Sequence, residues 1–197
     1  MQAKRRTSLI APKRQLLLTL FLVAGLDCAT KSLALSSLGD EPVRVIGNLL
    51  TFHLRYNSGA AFSIATNRTT LLSAFSLAVA TLILIRASRM THRGWIAGAG
   101  LVVGGITGNM IDRIMRPPGA LSGQVIDWIE IPHWPTFNLA DSSIVIGAIL
   151  VAVLVIRNIP PETPRADDQT VDHKSHKSHK SHRGVDDGRN KGGGKSE

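Results

Sequence analysis

The sequence predicts an all-α polytopic membrane protein: four transmembrane helices with a small external β-sheet. Three observations carry that expectation. Four apolar segments approach the length needed to cross a bilayer, about 20 residues for a helix. Basic residues cluster at the N-terminus, in one short loop and in the C-terminal tail, where a membrane protein keeps its cytoplasmic charge. Two stretches between the apolar segments alternate apolar and polar residues, as half-buried strands do.

The 197 residues suit a single domain. Hydrophobic residues make up 44% and charged residues 19%, but this mild average hides two populations. Residues 16–156 are strongly apolar, whereas residues 157–197 contain no Phe, Trp, Tyr, Leu or Met. The formal charge of +9 follows from the cytoplasmic clusters, so no nucleic-acid partner is expected. Cys28 is the single cysteine, which excludes an intramolecular disulfide.

Residues 1–15 form a basic cytoplasmic N-terminus with Lys4, Arg5, Arg6, Lys13 and Arg14 and no acid. Leu16 to Leu35 follows as the first span, interrupted by Asp27 and Lys31. A cleavable signal peptide would share this pattern, but the later apolar segments favour an uncleaved helix. Asp27 directly before Cys28 argues against a lipoprotein cleavage site, where a small residue is expected. Val43–Ile46 and Leu49–Tyr56, joined at Gly47-Asn48, read as a hairpin. Leu50, Phe52, Leu54 and Tyr56 form the apolar face of its second strand. Small residues then follow Asn57, in Gly59-Ala60-Ala61, where backbone approaches something closely.

The second span covers about residues 69–86, with Arg86 snorkelling at its end. Arg86, Arg89, Arg93 and His92 mark the next loop as cytoplasmic. The third span, about 95–115, carries Gly100, Gly104 and Gly108 at steps of four, a bare face for close helix approach. Pro117-Pro118 ends it. Gln124–Ile131 reads as a strand with Val125, Asp127, Ile129 and Ile131 on one face. His133-Trp134-Pro135 resembles an interfacial anchor before the fourth span, about 139–157. The membrane-embedded domain is thus residues 16–159. Residues 160–197, with three His-Lys-Ser repeats from His173, form a disordered basic cytoplasmic tail on composition. A solvated tail near anionic head groups is favoured over metal binding.

With both termini and the 86–94 loop cytoplasmic, the third span runs outward and the fourth inward. Asn109, Asp112, Arg113, Asn138 and Asp141 then meet at the outer face. Asp27 joins them, about 18 Å along the first span at 1.5 Å per residue. Polar residues on three separate spans converge at one depth, as a single site requires. Asp27 and Lys31, four apart, suit an internal ion pair. Asp112 beside Arg113 suits a structural pair. Asp127 and Asp141 have no cation nearby in sequence, which makes them the candidates for a reactive pair. Two close carboxylates cannot both ionise, so one keeps a proton. The ionised one can activate water while the other donates to a carbonyl oxygen. Peptide hydrolysis by such a pair needs no cofactor and no metal. No HExxH, GxSxG or Walker motif competes. A small proton-coupled membrane transporter is the alternative, since intramembrane acids mark such pathways, but its acids would be spread through the bilayer.

These motifs resemble the lipoprotein signal peptidases, or signal peptidase II, over roughly residues 20–156. The resemblance rests on Asp27 with Thr30-Lys31, Asn57 with Gly59-Ala60-Ala61-Phe62, Gly108-Asn109 with Asp112-Arg113, Val125 with Asp127, and Phe137-Asn138 with Ala140-Asp141. It implies an aspartic endopeptidase of the bacterial cytoplasmic membrane that removes signal peptides from diacylglyceryl-modified prolipoproteins, cutting before the lipidated cysteine. Membrane lipid is then a second partner. The family's catalytic pair falls on Asp127 and Asp141, and its supporting positions on Asn57, Asn109, Asp112, Arg113 and Asn138. Trp128 stands where the family usually has phenylalanine. The glycine face and the external strands are expected to form the peptide groove.

Overall fold

Length and apolarity dictate the helices, and a computed structural model gives their arrangement. It describes residues 2–59 and 67–162. Helix α1 spans Gln2–Ser37, α2 Asn67–Ala87, α3 Arg93–Met115 and α4 Leu139–Ile156. Strands β1 (Val43–Ile46), β2 (Leu50–Asn57) and β3 (Val125–Glu130) form one antiparallel sheet in that order. All four helices contain a stretch long and apolar enough to cross a membrane. Their outward faces carry exposed side chains such as Phe21, Phe75, Leu82 and Ile146, as lipid-facing surfaces do. The proposed tail beyond Glu162 and the Ala60-Ala61-Phe62 motif lie outside the described residues.

Helix α3 is the hub, packing on α1, α2 and α4. Its glycines make this possible. A Cβ on Gly100 would meet Thr19 at 2.7 Å, one on Gly104 would meet Val23 at 2.8 Å, and one on Gly108 would meet Asp27 at 2.6 Å. Partners advance together, 19 with 100, 23 with 104 and 27 with 108, so α1 and α3 run parallel. On the α4 side the pairing runs in reverse: Gly98 faces Gly147 and Val151, while Gly105 faces Ala140 and Ile144. Helices α3 and α4 are therefore antiparallel. This brings Asp27, Asn109, Asp112 and Asp141 to one level, as the alternating topology requires.

One expectation fails here. The face of Gly100, Gly104 and Gly108 is filled by α1 and cannot serve as a peptide groove. Bare backbone invites the nearest helix, and α1 occupies it along its length.

The strands start and stop within a residue of expectation. The expected alternation in β3 is not seen in its first half: Val125, Ile126 and Asp127 are all buried. The strand packs against both α1 and α3, so both of its faces are covered. Residues after α4 do not leave at once as tail. The Pro161 carbonyl accepts from the Thr91 and His92 amides (3.0 and 3.1 Å), and the Ile159 carbonyl from Trp95 Nε1 (3.0 Å). The embedded unit thus reaches at least Pro161.

Candidate active site

Three local devices deliver the polar side chains. Strand pairing sets Arg55 opposite Asp127 and Asn57 opposite Val125, which brings the end of β2 beside Asp127. Phe137 bonds Ile129 in both directions (2.9 Å each), so the chain entering α4 runs along β3. Asn138 then caps α4. Its Oδ1 accepts from the Asp141 amide at 2.9 Å, and the Asp141 carboxylate accepts from the Asn138 amide at 3.2 Å. This reciprocal capping box fixes Asp141 in the first turn.

Three asparagines hold the two candidate acids. Asn57 Nδ2 donates to Asp127 Oδ2 at 2.8 Å, and Asn138 Nδ2 to Asp127 Oδ1 at 2.7 Å. Asn109 Nδ2 donates to Asp141 Oδ1 at 2.8 Å. Each amide is oriented by an obligate donor at its oxygen. Gly59 N–H binds Asn57 Oδ1 at 2.7 Å, with Gly59 at φ +77° in a turn that favours glycine. Asp141 N–H binds Asn138 Oδ1, as above. The Lys31 ammonium binds Asn109 Oδ1 at 3.1 Å. An amide oxygen facing a group that can only donate leaves the NH2 to face the carboxylate. All four oxygens of Asp127 and Asp141 therefore accept a hydrogen bond from the protein. Sequence spacing alone left the tasks of these asparagines undivided.

Beyond Asn109 lies a charged cluster. Lys31 Nζ stands 2.7 Å from Asp27 and 2.9 Å from Asp112. Arg116 Nε binds Asp112 at 2.6 Å, and the Ile126 amide donates to Asp112 Oδ2 at 3.2 Å. Asp27 Oδ1 accepts from the Ala140 amide at 3.0 Å, tying α1 to the start of α4. The Asp27–Lys31 pair agrees with expectation. The expected pairing of Asp112 with Arg113 does not occur. Neighbouring residues on a helix point about 100° apart, and Arg113 turns to the carbonyls of Asn57 (3.2 Å) and Gly123 (2.8 Å) instead. Arg116 was missed, although its four-residue spacing from Asp112 repeats that of Lys31 from Asp27 and was there to be read.

Asp127 and Asp141 line a common cavity of about 380 Å³. Asn57, Asn109 and Arg113, with Ser73 and Ser76 of α2, lie on its polar side, and Leu72, Met110 and Ile144 on its apolar side. Helix α2 thus supplies a wall that no sequence motif announced. Asp127 is 2% exposed. Burial pushes its carboxyl up from the ordinary 3.8 to about 6, with the Asp141 charge adding to the rise and the Asn57 and Asn138 bonds and the Lys31 charge opposing it.

A multi-pass membrane fold with two amide-held carboxylates facing one cavity is the class of protein defined so far. The chain belongs to the signal peptidase II family. The family described as Signal peptidase (SPase) II matches residues 19–157. The lipoprotein signal peptidase of Rhodococcus jostii (strain RHA1) is 40% identical over 153 residues, covering 75% of this chain and 77% of the relative. That of Mycobacterium avium (strain 104) is 43% identical over 149 residues, covering 74% and 82%. A solved bacterial membrane enzyme has the same fold, with a TM-score of 0.63 at 24% identity over 71% of this chain and 91% of that one. The chain is therefore a multi-pass bacterial membrane protein and a protease of this family, active in lipoprotein signal-peptide cleavage. Nothing favours the transporter reading.

Proposed function

We propose that the protease works as an aspartic endopeptidase in which Asp127 and Asp141 are the catalytic pair. The observation that carries this is the cavity itself: the two acids open onto it together, each held by amide donors and, among the described residues, neither bound by a cation. An acid gripped by a cation is locked in its ionised form. An acid held by amides keeps the freedom to take and return a proton. A carboxyl with a pKa near 6, such as Asp127, suits proton transfer near neutral pH. One acid then activates water for attack on the scissile carbonyl carbon, and the other donates to the carbonyl oxygen. The proton next moves to the leaving nitrogen as the C–N bond breaks.

The substrate is a prolipoprotein with a diacylglyceryl-modified cysteine. Its acyl chains hold the cleavage site at head-group depth, where the acids lie if both termini are cytoplasmic and the site faces outward. Asn57, Asn109 and Asn138 orient the acids, Arg113 holds the end of β2, and Asp27, Lys31 and Asp112 support the helix ends. The apolar wall of Leu72, Met110 and Ile144 suits an apolar signal-peptide residue.

The test uses purified wild type, Asp127→Asn and Asp141→Asn in detergent, each with a lipidated prolipoprotein and the same protein without lipid. Wild type is expected to cut only the lipidated form, and both variants to fold and remain inert. A folded, active variant at either position would remove that acid from the pair. Cleavage of both substrates at equal rate would overturn the lipid requirement.

A further inference from the structure

Lys31 is 2% exposed and its ammonium has three partners, Asp27, Asp112 and Asn109 Oδ1. Charge balance explains the first two. It does not explain the third. Asp27 and Asp112 already neutralise the ammonium, and Arg116 already answers Asp112. The contact to Asn109 has a separate consequence. An unconstrained asparagine amide can turn over, exchanging its oxygen and its NH2. Turned over, Asn109 would present an oxygen to the oxygen of Asp141 and would lose its bond there. Lys31 prevents this, because an NH2 cannot face an ammonium. Asn138 Nδ2 adds a second donor to the same oxygen at 3.1 Å, but Asn138 Nδ2 also serves Asp127 and the Ile126 carbonyl.

We infer that Lys31 is a positioning residue for hydrolysis: by holding the Asn109 oxygen it aims the Asn109 amino group at Asp141. This rests on the proposed role of the acid pair. The orientation passes from α1 through α3 to α4 by two hydrogen bonds, Lys31 to Asn109 and Asn109 to Asp141. Without it Asp141 loses the donor at Oδ1 and turns in the cavity. A misplacement of about 1 Å in a reacting group can cost as much as 100-fold in rate.

Removing Lys31 alone would leave Asp27 and Asp112 facing one another, so the informative variant is Lys31→Met combined with Asp27→Asn. It deletes one positive and one negative charge, and the amide introduced by Asp27→Asn would keep an oxygen for the Ala140 N–H. Among the described residues, the charged groups left around the acid pair are Arg55 across the sheet from Asp127, Arg113 on the cavity wall, the Asp112–Arg116 pair on α3, and the two acids themselves. The double variant is expected to fold, with turnover lowered at least about tenfold and KM unchanged. The limb of its pH–rate profile that reports Asp127 is expected to move to higher pH, since the Lys31 charge lowers that pKa. Turnover is counted per folded molecule, so a reduced folded fraction does not enter the comparison. Asn109→Leu, which leaves the charged cluster intact, is expected to show the same loss of turnover at unchanged KM.

Wild-type turnover in the folded double variant, wherever the limb lies, would reduce Lys31 to charge balance and overturn the inference. If the double variant fails to fold, full turnover in Asn109→Leu overturns it instead. Asp127→Asn and Asp141→Asn run alongside separate the two ideas. If either is active, the pair itself fails; if both are inert while Lys31→Met/Asp27→Asn works normally, only the positioning role fails.

Discussion

Asp27 and Asp112 lie on one side of Asn109, and Asp127 and Asp141 on the other, and the two pairs are held differently. The first pair is gripped by Lys31 and Arg116 at 2.6–2.9 Å. The second is held by three asparagine side chains and one backbone amide, and among the described residues neither acid forms an ion pair. Asp27, Asp112 and Asp127 are buried, and a buried carboxylate faces a desolvation cost. A cation meets that cost by fixing the charge, which makes the group permanent and inert. Amides meet part of it and leave protonation free to change. The cluster joins α1, α3 and the sheet, while the pair faces the cavity.

Exchanging the acids tests this contrast most strongly. Asp127→Asn and Asp141→Asn should each lower turnover by at least about 100-fold with little change in melting temperature. In the cluster the effect should be reversed. Lys31→Met alone should cost about 3–5 kcal/mol in stability, because it leaves buried acids uncompensated. Asp112→Asn should cost about 1–3 kcal/mol and leave turnover per folded molecule within a few-fold. A stable but inactive Asp112→Asn would move Asp112 across to the reactive side. Thermal unfolding in detergent, read beside the lipidated-substrate assay, separates these outcomes.

Gly104→Ala probes the frame that carries both pairs. Its Cβ would stand 2.8 Å from Val23 Cβ and 3.0 Å from the Leu20 carbonyl, so α1 must move. A loss of about 1–3 kcal/mol is expected, and an unchanged melting temperature would mean that the seam yields.

The pH dependence sharpens the same contrast. The raised Asp127 pKa means that the native state holds this proton more tightly than the unfolded chain. Its contribution to stability is fully present below pH 3.8 and is lost as pH rises through about 6. Asp127→Asn should flatten the stability profile in that window, and an unchanged slope would place the titration elsewhere. The smallest effect is expected from removing residues 163–197. Turnover should stay within about twofold, as Pro161 and its bonds to the 91–92 amides remain. An earlier cut would remove Pro161 itself.

The sequence by itself determined the four spans, the three strands and the set of polar residues that meet. These depend on local patterns: apolar length, alternation, and glycine or proline at fixed steps. It also singled out Asp127 and Asp141, since absence of a neighbouring cation is visible along the chain. Only the tertiary structure decided who meets whom. Asp112 is answered by Lys31, far away on α1, and by Arg116, and not by the adjacent Arg113, because helix geometry sends neighbours in different directions. The glycine face became a helix contact, because α1 reaches that bare backbone first. The three amides acquired their orientation from Gly59, Lys31 and the capped turn of α4. Those donors lie on separate elements, and packing alone brings them to the same few ångströms.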